Sequence, residues 1–283
     1  MKVENHKCYN AKAKINVDPT HMLCRVFKIT EDYIKYAIEL NPDIETNYIQ
    51  ALMKRLADDV GDIEVNLPFL NVEEACKDLT ILNKYEELRK LITLFVTNYW
   101  DLPENTQVKD GKVDIYNLNY TKSYIRLSYN RVKSFVDLLG DEKGIELYKE
   151  VLYKIVDDEV KNADYKRKTQ RESGEKAIKG WTETGLGNFT SCFFDDYKVL
   201  FRFDKCVIHE ALKEYNDPDH AYIASCYRGD VQGGHPGKFW MMRRTQTLHH
   251  GDFCDEMYWY DDEHPDAEQP SLEFTRNLGK KKS

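Results

Sequence analysis

The chain has 283 residues, 41% of them hydrophobic, and its 41 basic against 49 acidic residues give a formal charge of -8. That length and apolar fraction suffice for a buried core in one large or two modest soluble domains, while the acidic balance argues against nucleic-acid and anionic-membrane partners. The most apolar run, LITLFV at 91–96, is far shorter than a membrane-spanning helix requires.

In chain order, the first ~30 residues show little periodicity, and residues 31–56 then carry Ile34, Ala37, Ile38, Ile49, Leu52 and Leu56 at helical spacing. Asn41-Pro42-Asp43 should break that run into two helices. A further amphipathic run covers about 71–100, bracketed by Pro68 and Pro103, and another spans 120–139 until Gly140 ends it. Asp141 can open the next helix, with Ile145, Tyr148, Leu152, Ile155 and Glu159 near one face, running to about Tyr165.

Residues 161–174 are polar and basic and read as a linker or exposed loop. After them 193–203 predicts a strand, 205–215 a short helix, 221–227 a strand or buried helical turn, and 230–237 a glycine-rich loop. Two apolar and aromatic runs, 239–248 and 253–260, flank His249-His250-Gly251-Asp252, which predicts a β-hairpin with Gly251 at a positive-φ turn position. The fold class is therefore α+β: a mainly helical region over 1–165, an α+β domain over 175–265 and a tail over 266–283. The lysines at 280–282 read as a solvated end.

The reactive inventory is concentrated in the last third, where six of the eight histidines and four of the seven cysteines lie beyond residue 190. An odd number of cysteines, with no charged-then-apolar leader before them, fits a reducing cytoplasm. Cys206, Cys226 and Cys254 fall in three separate elements, at spacings that match no short metal signature. Cys254 stands beside the expected turn, close to Asp252 and Asp255 and near His249 and His250, which could deprotonate it or stabilise its thiolate. Adjacent histidines alternate faces on a strand, as do Arg243 and Arg244, so one of each pair should face inward. An inward Arg244 suits a substrate carboxylate, or else a salt bridge to neighbouring acids. Asp230, in the glycine-rich segment, could orient a histidine or activate water, or simply cap backbone amides.

At these residues the sequence resembles the L-2-amino-thiazoline-4-carboxylic acid hydrolase family. The similar features are Lys205-Cys206-Val207-Ile208, the 226–230 segment, and above all Arg244-Thr245-Gln246-Thr247-Leu248 leading through Gly251-Asp252 to Cys254-Asp255. The resemblance covers about 175–260 well and the helical half loosely. It implies hydrolytic opening of a cyclic amidine, such as a 2-aminothiazoline-4-carboxylate, toward an N-carbamoyl-cysteine-type product in cysteine metabolism or a related biosynthesis. It also implies a distant likeness to vinyl-reductase-type ligand-binding domains, in which cysteines can hold zinc.

On residue type, the expected catalytic set is Cys254, His249, His250, Asp252, Cys226 and Asp230, with Arg244, Thr245 and Thr247 binding the substrate. Cys206, Cys226 and Cys254 are the candidate ligands should zinc be present, although nothing in the sequence requires a cofactor. The partner expected is a small-molecule carboxylate, with no nucleic acid, no membrane and a homo-oligomer left open. A sensor domain using the same pocket without turnover and a zinc-stapled structural protein are the alternatives.

Overall fold

The computed structural model describes residues 1–61, 67, 69–103, 105–164, 166–238 and 240–280. Pro68, Tyr165, Phe239 and the lysines beyond Lys280 lie outside the described residues. The fold is α+β, and the chain divides into two compact units: Lys14–Ile155, and Met1–Ala13 together with Val156–Ser283. The helical unit is thus inserted, in sequence, between β1 (Lys2–Lys7) and the remainder of the sheet unit.

In the helical unit β2 (Lys14–Val17) precedes α1 (Pro19–Leu40), which starts earlier than its periodicity suggests because Asp18 caps it, accepting from the His21 amide at 2.9 Å. The expected break at 41–43 is present as a 3-10 turn, after which α2 (Glu45–Val60) begins. The run over 71–100 is divided into α3 (Val72–Cys76) and α4 (Glu86–Trp100). Then β3 (Val113–Tyr116) pairs antiparallel with β2, α5 (Asn117–Leu139) ends at Gly140 as expected, and α6 (Asp141–Asn162) follows.

The division between α3 and α4 has a visible cause in Glu31 of α1, which is 7% exposed. Its carboxylate accepts the amides of Thr80 at 2.7 Å, Ile81 at 3.1 Å and Leu82 at 2.8 Å, and the Thr80 hydroxyl at 3.0 Å. Burial opposes ionisation, but these donors outweigh it and hold the Glu31 carboxyl below its ordinary 4.5. A depressed folded value means that the stabilisation is full above the unfolded value and is lost as pH falls through the folded one. Glu31→Gln should therefore cost about 2 kcal/mol near neutral pH. In urea-unfolding series that deficit should shrink as pH falls below about 4.5, and a deficit independent of pH would show that the charge is not the source.

In the sheet unit α7 (Gln170–Thr184) occupies ground expected as loop. A capping box starts it: the Thr169 hydroxyl accepts from the Glu172 amide at 3.0 Å and the Glu172 carboxylate from the Thr169 amide at 3.1 Å. The strand expected over 193–203 is realised from Lys198 onward as β5 (Lys198–Cys206), which a turn joins to an unexpected β4 (Gly187–Phe193); in the turn the Asp195 carboxylate accepts the amides of Tyr197 and Lys198. The chain continues through α8 (Val207–Leu212), α9 (Pro218–Ser225) and α10 (Tyr227–Gly233), so the first half of the glycine loop expected over 230–237 is helical.

The hairpin exists as β6 (Met241–Arg243) against β7 (Cys254–Trp259), with Met242 opposite Tyr258. Its arms are shorter than expected and a long loop over 244–253 replaces the tight turn. Gly251 is not among the positive-φ residues; what favours glycine there is the Gln246 amide group, 2.3 Å from where a Cβ would stand.

The sheet order is β1-β4-β5-β7-β6, antiparallel throughout. Strand alternation sends Phe189, Phe193, Val199, Phe201, Phe203 and Cys254 to one face, where Trp181 of α7 meets Phe189, Phe201 and Phe203 edge-on at 5.0–5.3 Å between centroids. Cys192, Leu200, Met257 and Trp259 form the other face, closed by Leu278 just after α11 (Leu272–Asn277). The expected tail thus contributes Leu278 to the core.

Candidate functional site

On β7 the two-residue period that buries Cys254 on the α7 side of the sheet carries Glu256 and Tyr258 to the same side. Together with Met242, Phe203 and Trp181 they form one wall of a 230 Å³ cavity. The start of α8 supplies Cys206 and His209, the α9–α10 junction supplies Ser225 and Cys226, and the 244–253 loop supplies Leu248 and His249. The three cysteines separated in sequence therefore face one space, as does one of the two adjacent histidines.

The thiols are held protonated. Burial raises Cys206 to about 12, with the amides of His209 and Ile208 only partly opposing it. Burial also raises Cys226, against the pull of Arg244. For Cys254 burial dominates again, and Cys226, Cys206 and Glu256 push the same way; the Leu248 amide, donating to Sγ at 3.0 Å, only partly offsets them. Burial thus disfavours the expected Cys254 thiolate, and His249, itself uncharged at neutral pH, offers it no imidazolium partner. His249 is driven down to about 4, first by burial and then by His209, His250 and Arg244. His209 is lowered mainly by burial, and the two rings meet edge-on at 5.2 Å. His249 Nε2 lies 3.1 Å from the Ser225 hydroxyl.

Arg244 enters the cavity wall with its fork already occupied. Its side chain is 7% exposed, Nη2 donates to Glu256 at 2.6 Å, and Nη1 lies 3.0 Å from both the Asp230 carboxylate and the Cys226 carbonyl. Tyr258 donates to the other Glu256 oxygen at 2.9 Å and Tyr222 to Asp230 at 2.6 Å. Of the two readings the sequence left open, the ion pair is the one realised. One cation against two acids leaves this group a poor host for a carboxylate and a fair one for a cationic amidinium. Burial raises the Asp230 carboxyl despite Arg244.

Other expected members lie elsewhere. Asp252 is exposed, is bound by Arg276 and by Gln246, and is depressed to about 2 chiefly by Arg276. His250 turns outward to Asp219 at 2.9 Å, with Thr247 Oγ1 3.3 Å from its Nδ1. Thr245 is committed to Asp255, which accepts its amide at 2.8 Å and also its hydroxyl. Asp230, His250, Thr245 and Thr247 border a separate 240 Å³ pocket behind Arg244. Among the described residues no three His, Cys, Asp or Glu side chains are grouped so as to hold a metal ion, so Cys206, Cys226 and Cys254 do not fit a zinc site despite sharing a cavity.

Sequence reasoning missed Ser225, His209, Glu256 and Tyr258. The last two were within reach, since they follow Cys254 at the strand period. Comparison of the chain with family models, curated proteins and solved structures finds no match. Among the described residues no helix is long and apolar enough to cross a membrane.

Proposed function

We propose that the sheet unit is a hydrolase opening a small cyclic amidine carboxylate of the 2-aminothiazoline-4-carboxylate kind. The observation that carries this reading is His249, an imidazole kept uncharged at neutral pH in the wall of a cavity of small-molecule size. His249 takes a proton from water as the water oxygen bonds to the amidine carbon, and the C=N electron pair moves to the ring nitrogen. The adduct then collapses: its C–OH becomes C=O as the C–S bond breaks, the hydroxyl proton passes to solvent and the departing ring sulfur takes the proton held by His249, giving an N-carbamoyl-cysteine-type product. Thiols held protonated by burial are poor nucleophiles and weak acids, so water is the nucleophile and His249 carries the proton. Glu256, with its side chain 19% exposed, faces the amidinium.

The test is turnover of 2-aminothiazoline-4-carboxylate. His249→Asn should lower kcat/KM roughly 100-fold with the circular dichroism spectrum unchanged. A base must be unprotonated to act, so the wild-type rate should hold as pH falls from neutrality and decline only as it passes through about 4. Wild-type turnover unaffected by His249→Asn would refute the assignment. A binding module is the second reading, favoured by the apolar wall of Trp181, Leu186, Phe203, Met242 and Leu248; it predicts saturable binding of the same compound with no product.

A further inference from the structure

A second cavity in the sheet unit, 290 Å³ in volume, has a different chemistry. Lys166, Lys168, Gln170, Ser173, Trp240 and Tyr260 line it, and Tyr258 belongs to its wall as well as to that of the inner cavity. The decisive residue is Gln170. It is 6% exposed, lines this cavity, and its amide makes no hydrogen bond to any described residue. A buried carboxamide without a protein partner is costly, so one that faces a cavity points to a ligand or to water.

The amides of Thr169 and Glu172 are used by the capping box, and that of Arg171 by the Asp196 carbonyl at 3.0 Å. Asp262 and Glu263 are engaged by Arg167, which lies 4.8 Å from the ring of the lining residue Tyr260. Lys166, Lys168, Gln170 and Ser173 thus line the space, and no carboxylate is among its described lining residues. Trp240 adds an aromatic face, with Lys238 Nζ 4.1 Å from its centroid.

We infer that this cavity is a binding site for a planar organic anion, its carboxylate or phosphate held by Lys166, Lys168 and Gln170 and its ring against Trp240. The two lysines supply charge, the amide fixes orientation, and the indole selects a flat body over a bare ion. The site does not depend on any reaction in the inner cavity.

Calorimetric titration of the intact protein with benzoate, phenyl phosphate and inorganic phosphate tests it. At least one of the two ring-bearing anions should bind saturably, and whichever binds more tightly identifies the anionic group. Binding should weaken roughly 10-fold or more both in Gln170→Leu and in the double variant Lys166→Ala/Lys168→Ala. His249→Asn, in the inner cavity, should leave it unchanged. The assignment is overturned if neither ring-bearing anion binds, if phenyl phosphate binds no more tightly than inorganic phosphate, or if both variants bind like wild type. Loss of binding in His249→Asn would also overturn it, by placing the anion in the inner cavity.

Discussion

Arg244→Met should destabilise the protein by about 3–5 kcal/mol, the cost of leaving buried charges without their partner. The substitution removes the cation shared by Glu256 and Asp230 and strips the Cys226 carbonyl of its donor. Asp230, whose pKa is already raised by burial and restrained by Arg244, would rise further and take up a proton. Urea unfolding measures the loss. The double variant Arg244→Met/Glu256→Gln should recover a substantial part of it, since a neutral amide in place of the stranded carboxylate removes the larger penalty. Arg244→Lys should fall between, because one ammonium cannot match a fork that reaches three acceptors. Wild-type stability in Arg244→Met combined with weakened ligand binding would reverse the conclusion and make the guanidinium a substrate clamp.

Asp255→Ala should cost about 3 kcal/mol or more, because several buried donors lose a charged acceptor together. Asp255 is fully buried on β7 and accepts the amides of Thr245 and Gln246, each at 2.8 Å, the Thr245 hydroxyl, and the Gln269 side chain at 3.0 Å. Those bonds tie the 244–253 loop to the strand beside it, and the loop carries His249. Amide hydrogen exchange at Thr245 and Gln246 should accelerate in the variant even under conditions where the rest of the sheet remains protected. Protection of those two amides unchanged from wild type would show that the loop holds its shape by packing alone.

These two carboxylates show where the sequence was legible and where it was not. Asp255 and Glu256 are neighbours of one charge type, and residue identity gives no hint that the first staples a loop while the second faces a cavity. Strand alternation separates them, but the strand's two faces are assigned only by the sheet around it. The long helices were readable because apolar period dominates them, as in α5 and α6. Hidden elements were those whose local language is weak. The opening strand β1 has little apolar alternation, and α7 begins in a polar segment whose capping box Thr169–Glu172 was the visible clue. In α10 the glycines disguise a helix. Gly233 is there because a Cβ would stand 2.5 Å from that of Met242 on β6, a close approach no local pattern reveals.

For the candidate site, clustering of histidine and cysteine late in the chain located the right unit, and Cys206, Cys226, Arg244, His249 and Cys254 do share a cavity. Protonation states were beyond reach. Whether a thiol ionises depends on burial, which raises all three, and on the charges of partners from other elements, such as Arg244, which pulls Cys226 back.

The pairing of β1 with β4 sets a timetable. Asn5 and Thr190 bond side chain to side chain across 185 positions of chain, with the whole helical unit lying between them. At roughly 5–20 residues per second, synthesis leaves β1 without its partner for ~10–40 s. The inserted helices, rich in local contacts, can fold in that interval, whereas the sheet cannot gain its edge until its interior strands emerge. Until then β1 presents an open row of amides and carbonyls to any extended segment nearby, so a mutation that delays its pairing with β4 would act through aggregation of the nascent chain before it acts on the finished fold.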